Sequence, residues 1–371
     1  MFHLLLALPC LIVILRFLIP LAWPLWVTCV VSAALLLVSQ HHLLTLFAFG
    51  SMFSPEVPRA VILVVNTLFG AMIFLALMQL VTDTITLLLA LARRRKLYIA
   101  ASLRYTLAVV AIGLAAFGVS QAARLPPLKE VEITLADLPE AFDGYEIIHL
   151  TDLHISRLFE APWVERIVVK TNALAPDVIL ITGDLIDGAL DARRDAVAPL
   201  QALTAPDGVY VSPGNHEYYF GYEEWMGHYQ SQGMQILANQ HAVIERDGTA
   251  LVLAGVTDVS AEDDGYPAPD ITQALEGAPD DATVILLDHQ PRNAREAAAQ
   301  GVDLQLSGHT HGGMMVGFDH IVARANNGFV SGLYDLGGMT LYVNNGTGLW
   351  PGFALRLGKP SELTRITLRR E

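Results

Sequence analysis

Three uncharged stretches, Leu25 to Gln40, Ala60 to Thr82 and Tyr105 to Ala123, restrict this 371-residue chain more than anything else in it. Each approaches or exceeds the roughly 20 apolar residues that a helix needs to cross a bilayer, where backbone amides must be satisfied inside their own segment. Met1 to Pro24 is apolar as well but is interrupted by Arg16, Pro20 and Pro24, so it is expected to pair with the next run as a helical hairpin. A bundle of about four transmembrane helices is therefore expected in residues 1–124, serving as an anchor, with a second unit in residues 125–371.

Charge divides at the same place. Up to Arg124 there are eight Lys or Arg against two acids, Glu56 and Asp83, a charge of +6, whereas the remainder has fifteen basic and thirty-five acidic residues, a charge of −20. No basic start precedes the first apolar run, so a cleaved signal peptide is not expected and the anchor stays in the mature protein. The basic cluster Arg93-Arg94-Arg95-Lys96, with Arg104 nearby, separates the third and fourth spans. Basic short loops stay cytoplasmic, which sends the fourth span outward and puts everything after Arg124 on the extracytoplasmic side of the cell (inner) membrane. A unit of charge −20 excludes nucleic acid as a partner, because binding a phosphate backbone depends on clustered Lys and Arg. Both cysteines, Cys10 and Cys29, fall in the apolar part, leaving the second unit without a disulfide or a thiolate site.

From Pro126 onward short β-rich apolar runs alternate with helix-like stretches, the pattern of an α/β layered domain. Five of those runs end in metal-binding groups. Tyr145 to Leu150 leads into Thr151-Asp152-Leu153-His154, and Asp177 to Thr182 into Gly183-Asp184-Leu185-Ile186-Asp187. Val209 to Ser212 leads into Pro213-Gly214-Asn215-His216-Glu217, Thr283 to Leu287 into Asp288-His289-Gln290, and Asp303 to Ser307 into Gly308-His309-Thr310-His311-Gly312-Gly313. A buried strand fixes the backbone while the loop at its carboxyl end presents polar groups in a crevice. Two carboxylates, one amide oxygen and four imidazoles suit hard or borderline divalent ions. Seven donors exceed the four of a closed structural zinc site and favour two adjacent metals with positions left open, an arrangement for catalysis.

At these residues the sequence resembles the calcineurin-like metallophosphoesterase superfamily. Its Asp-X-His, Gly-Asp-X-X-Asp, Gly-Asn-His-Glu, His and Gly-His-X-His blocks occur here complete and in order over about residues 145–312. The continuation Leu341-Tyr342-Val343 to Gly348 and Leu355-Arg356-Leu357-Gly358 looks like the family's membrane-associated bacterial branch. Met314 stands where many relatives have Gln, and Asn344-Asn345 where they often have Ser-Arg. The resemblance implies a four-layer α/β/β/α sandwich for residues 125–371, with metals at one edge of the two sheets. It also implies that Asp152, His154 and His311 hold a first metal, that Asn215, His289 and His309 hold a second, and that Asp184 bridges them. A shared carboxylate lets two cations sit about 3.5–4 Å apart, where they clamp the attacking and leaving oxygens of a phosphoryl displacement, and a bridging hydroxide is the nucleophile. His216, beside a ligand, takes the part of leaving-group proton donor, and the family spacing suggests Asp187 as the residue that orients it. Mn²⁺ is the first choice for the pair, with Fe, Zn²⁺, Mg²⁺ and Co²⁺ also suited.

The expected function is thus that of a dinuclear metal-dependent phosphohydrolase acting on a phosphomonoester, phosphodiester or pyrophosphate. A lipid-linked phosphate is attractive because an anchor precedes the domain and Leu349-Trp350-Pro351-Gly352-Phe353 is apolar and aromatic; the plainer reading makes Trp350 and Phe353 core residues. The competing class is a non-catalytic metal-binding membrane sensor, against which the presence of all seven donors and His216 argues. His149, His228, His241 and His320 stand outside the motifs and read as structural. Glu262-Asp263-Asp264-Gly265 lacks the alternation and final Glu of a calcium loop and reads as a solvated turn. Asp83 reads as an interface charge rather than part of a polar pathway, and Arg16 shares that choice.

Overall fold

The computed structural model describes residues 2–371. Two compact units are present, one made of Met1–Ala122 with Pro351–Leu355, the other of Ala123–Trp350 with Arg356–Glu371.

In the first unit, α1 (Phe2–Ile12) runs into a π-helical stretch, Val13–Leu18, and α2 (Leu25–Ser39) meets α3 (His41–Phe49) at a 61° bend. Then follow α4 (Arg59–Arg93) and α5 (Ala101–Ala122). His3–Leu21, α4 and α5 are long and apolar enough to cross a membrane, and the bent pair makes a fourth if it forms one span. At 1.5 Å per residue α4 is about 52 Å long, well beyond the roughly 30 Å of a hydrocarbon core. Hydroxyls along it bond to carbonyls one turn back, Thr67 to Leu63 at 2.8 Å and Thr82 to Met78 at 2.7 Å, so they need no water. Cys10, Val13, Phe17, Phe69 and Met72 pack inside, while Trp26, Phe47, Val81 and Leu88 point outward, a surface suited to hydrocarbon rather than water. Charge is matched locally: Arg16 Nε donates to Asp83 at 2.9 Å, and Gln79 donates to the same carboxylate at 2.8 Å.

The second unit contains β1 (Leu128–Leu135), β2 (Glu146–Leu150), β3 (Val178–Thr182), β4 (Val209–Ser212), β5 (Gln235–Ile236) and β6 (Gln240–Arg246). After these come β7 (Thr249–Gly255), β8 (Thr283–Leu287), β9 (Leu304–Ser307), β10 (Gly332–Asp335), β11 (Thr340–Val343) and β12 (Leu363–Arg370). They form two six-stranded sheets of order β1-β12-β2-β3-β4-β5 and β10-β11-β9-β8-β7-β6. Neighbours from β2 to β5 are parallel, as are β7, β8, β9 and β11 in the other sheet. Every residue of β3 (Val-Ile-Leu-Ile-Thr) and β8 (Thr-Val-Ile-Leu-Leu) is buried, as parallel strands covered on both faces require.

Side-chain alternation sets the layers. Val178, Leu180, Leu251, Leu253, Ile285, Leu304 and Ile366 fill the space between the sheets, whereas Val252, Ala254, Leu286 and Leu341 pack outward with Ala274, Ala294 and Ala297 of short helices. Helix Ala161–Asn172 connects β2 to β3 and buries Trp163, Val164, Ile167 and Val168 on one face. The result is the four-layer α/β/β/α sandwich that the resemblance implies, and the five ligand-bearing runs are β2, β3, β4, β8 and β9.

Candidate metal centre

Loops at the carboxyl ends of those five strands converge. From the first sheet come Asp152 and His154 after β2, Asp184 and Asp187 after β3, and Asn215 and His216 after β4; from the second come His289 after β8, and His309 and His311 after β9. Three groups of side chains place potential ligand atoms within 4.8 Å of one another: Asp152, His154 and His311; His154, Asp184 and His216; Asp184, His289 and His309. His154 Nε2 lies 3.2 Å from His311 Nε2, His289 Nε2 lies 3.2 Å from Asp184 Oδ2, and His309 Nδ1 lies 3.0 Å from Asn215 Oδ1. All seven motif donors are thereby brought together, while His149, His228, His241 and His320 lie outside the three groups.

Convergence of this kind bends the backbone. Asp152, His154, Asp184, His309 and His311 all have positive φ, between 46° and 64°, a region that side-chain-bearing residues enter at a cost and that is sustained only where surrounding structure enforces it. Glycine is needed where two loops touch: a Cβ at Gly214 would strike Asp184, and one at Gly308 would strike Thr151 and Asp152.

The donor set fits cations. His289 Nδ1 donates to the carbonyl of Thr182 at 2.7 Å, so in the neutral imidazole Nε2 is an acceptor facing the Asp184 carboxylate, another acceptor, and the pair needs a proton or a cation between them. His154 Nδ1 likewise donates to Asp187 Oδ1 at 3.1 Å and turns Nε2 inward. Two nitrogens each about 2.0–2.1 Å from one tetrahedral ion would lie about 3.3 Å apart, close to these separations. The electrostatics ask for positive charge as well. Burial opposes protonation of His289, yet Asp184 outweighs it and holds the imidazole well above its usual range. Burial by itself would raise Asp184, but His289, His216 and His154 keep it well below the ordinary carboxylate range. Burial also works against a charged His216, and Asp184 and Asp187 together lift it to about 9.

Residues 145–313 match the calcineurin-like phosphoesterase family. An uncharacterized metallophosphoesterase of Campylobacter jejuni is 33% identical over 79% of this chain and 77% of its own length. This chain belongs to the calcineurin-like phosphoesterases. A transmembrane protein with metallophosphoesterase domain from Danio rerio is 36% identical over 70% of this chain; the match spans 61% of that relative's length. An uncharacterized metallophosphoesterase of Bacillus subtilis is 31% identical over 62% of this chain and 82% of its own.

In this phosphoesterase the Asp187 carboxylate takes both His154 Nδ1, at 3.1 Å, and His216 Nδ1, at 2.5 Å, so one acid orients two imidazoles. Asp184 Oδ1 accepts the backbone amide of His216 at 2.8 Å. Two residues that the motifs contain, but to which sequence reasoning assigned no role, hold the loops. Glu217, fully buried, accepts the amides of Asp184 at 2.9 Å, Leu185 at 2.8 Å and Gly214 at 2.8 Å, tying the β3 loop to the β4 loop. Arg356, also buried, donates to the carbonyls of His311 at 2.9 Å, Asn345 at 2.6 Å and Gly348 at 3.0 Å. Its sequence signal is a lone cation between Leu355 and Leu357, and such a residue is buried only where several acceptors meet it.

Proposed function

We propose that this membrane phosphoesterase hydrolyses a phosphomonoester, phosphodiester or pyrophosphate with two divalent ions, preferably Mn²⁺, and that its substrate is lipid-linked. Asp152, His154 and His311 would hold one ion and Asn215, His289 and His309 the other, with Asp184 available to either group. When bound, the ions supply Lewis acidity, neutralise phosphate oxygens and bring a coordinated water close to neutral pKa. Asp184 is the carboxylate that could be shared, because Oδ2 lies 3.8 Å from His154 Nε2 and 3.2 Å from His289 Nε2. His216, steered through Nδ1 by Asp187, presents Nε2 toward the same cluster, 3.9 Å from Asp184 Oδ2, and delivers a proton to the leaving oxygen. The catalytic unit faces the extracytoplasmic side of a multi-pass inner-membrane protein, as the basic loop Arg93–Lys96 directs.

One observation carries the reading: imidazole nitrogens, a carboxylate oxygen and an amide oxygen meet at 3.0–3.2 Å in a buried cluster. The test is hydrolysis of an aryl phosphodiester and an aryl phosphomonoester by the purified full-length chain with Mn²⁺. Turnover that disappears on chelation and returns with Mn²⁺ is expected; none with Mn²⁺, Fe, Zn²⁺, Mg²⁺ or Co²⁺ leaves the sensor reading in its place. Lipid phosphates in bilayers should be turned over faster than soluble esters, and equal rates would remove the lipid.

A further inference from the structure

Asn66, with 1% of its surface exposed, lies part-way along α4 inside the first unit. Its Nδ2 donates to the carbonyl of Pro351 at 2.7 Å and its Oδ1 accepts the amide of Ala354 at 2.6 Å. His41 Nε2 lies 2.9 Å from the carbonyl of Gly352. Phe353 packs edge-on against Phe69, with ring centroids 5.5 Å apart, and Leu355 lies so close to Gly70 that a Cβ there would come within 2.5 Å of its Cδ1. Asn66, Phe69 and Gly70, spaced i, i+3 and i+4, thus form one face of α4 that receives a five-residue piece of the C-terminal sequence. Irregular backbone among apolar helices persists only where its polar groups find partners, and here a carboxamide supplies two of them at once.

Both ends of that piece return to the metal centre along the chain. Before it, the amide of Gly348 donates to the carbonyl of Asp152 at 2.8 Å, and that of Thr347 to Thr151 at 2.8 Å. Directly after it comes Arg356, whose guanidinium holds the carbonyls of His311 and Gly348. Asp152 and His311 are two of the residues with positive φ, whose backbone needs outside support.

We infer that Asn66 is a positioning residue for the metal centre: by fixing Pro351–Leu355 it sets Arg356, and through Arg356 the backbone that presents His311 and Asp152. The inference rests on the dinuclear-metal reading of that site.

The test is Mn²⁺ binding to the full-length chain in detergent, followed by the paramagnetic resonance signal of free Mn²⁺, for the unaltered protein, Asn66→Leu, Arg356→Met and the double variant. Partners of metal ligands typically change affinity about 10–100-fold when removed. Arg356→Met should therefore raise the Mn²⁺ dissociation constant about tenfold or more, and Asn66→Leu, one step further away, about fivefold. The double variant should match Arg356→Met, because one residue acts through the other. Affinity unchanged in Asn66→Leu, or effects that multiply in the double variant, would overturn the inference. If Asn66→Leu is not recovered as a monodisperse protein, Phe353→Ala, which removes no hydrogen bond, is read in its place with the same expectations. Absence of Mn²⁺ binding by the unaltered chain would instead remove the metal reading underneath.

Discussion

Among the apolar helices, each end of the Asn66 carboxamide reaches a backbone partner, and Asp83 takes both Arg16 and Gln79. At the strand ends of the second unit the opposite holds, with imidazole nitrogen facing imidazole nitrogen and carboxylate oxygen facing a bare His289 Nε2. The first pattern is what burial demands of any polar group, since an unpaired one is expensive in a low-dielectric setting. The second brings together groups that, with neutral imidazoles, are acceptors facing acceptors and so call for a proton or a cation between them, and five of the seven residues involved also have positive φ. Matched polar groups hold a structure together; converging, mismatched ones on strained backbone mark a place where something positively charged belongs.

That contrast can be broken most severely at Asp184, which joins two of the three ligand groups. Asp184→Asn should lower kcat/KM by at least about 10³-fold, the size of a lost metal clamp, in a steady-state assay with saturating Mn²⁺. Retention of more than a tenth of the activity would show that the bridging position is not needed. Glu217 lies beside the mismatched cluster but behaves like the matched groups, taking three amides. Glu217→Gln should destabilise the fold by about 2 kcal/mol, seen as a lower melting temperature, with activity falling alongside. An activity loss with no change in melting would move Glu217 from support to chemistry.

Acid sharpens the comparison next. His149 is fully buried against Thr182, at 2.8 Å, and burial pushes it down to about 3. Between the unfolded value near 6.5 and that folded value the unfolded chain binds the extra proton, so stability is full above about pH 6.5 and declines as pH falls toward 3. The contribution is about 2 kcal/mol between pH 7 and pH 5. His149→Gln should therefore flatten the pH dependence of melting in that interval, whereas an unaltered slope would assign acid sensitivity to other groups. The smallest effect belongs to exposed pairs such as Arg369 with Glu132 at 3.3 Å, where Glu132→Gln should shift melting by less than about 1 °C.

Much of this was readable from the order of residues. The runs at β2, β3, β4, β8 and β9 are mainly apolar and almost wholly buried because both faces are covered, so they stand out against the polar loops that follow, and each loop carries its ligands within a few residues of the strand end. Spacing picked out, for the same reason, the seven residues and His216 that the fold brings together. Glu217 and Arg356 were harder to assign because their partners are backbone amides and carbonyls, which every residue possesses and no sequence pattern marks. Asn66 was hidden differently: its partners lie 285 and 288 residues away, and only the folded chain brings Pro351 and Ala354 against it. The helices showed themselves by apolar length, yet the bend between α2 and α3 falls at the polar run Ser39-Gln40-His41-His42, and apolar length alone does not reveal it.

The most direct test of the central claim is the number of divalent ions held per chain by the purified full-length protein, measured by elemental analysis after equilibration with Mn²⁺ and removal of free ion. Two Mn²⁺ per chain, falling to one or none in Asp184→Asn, is the expected result. No stoichiometric Mn²⁺, Fe, Zn²⁺, Mg²⁺ or Co²⁺, or a content that Asp184→Asn leaves unchanged, would contradict it.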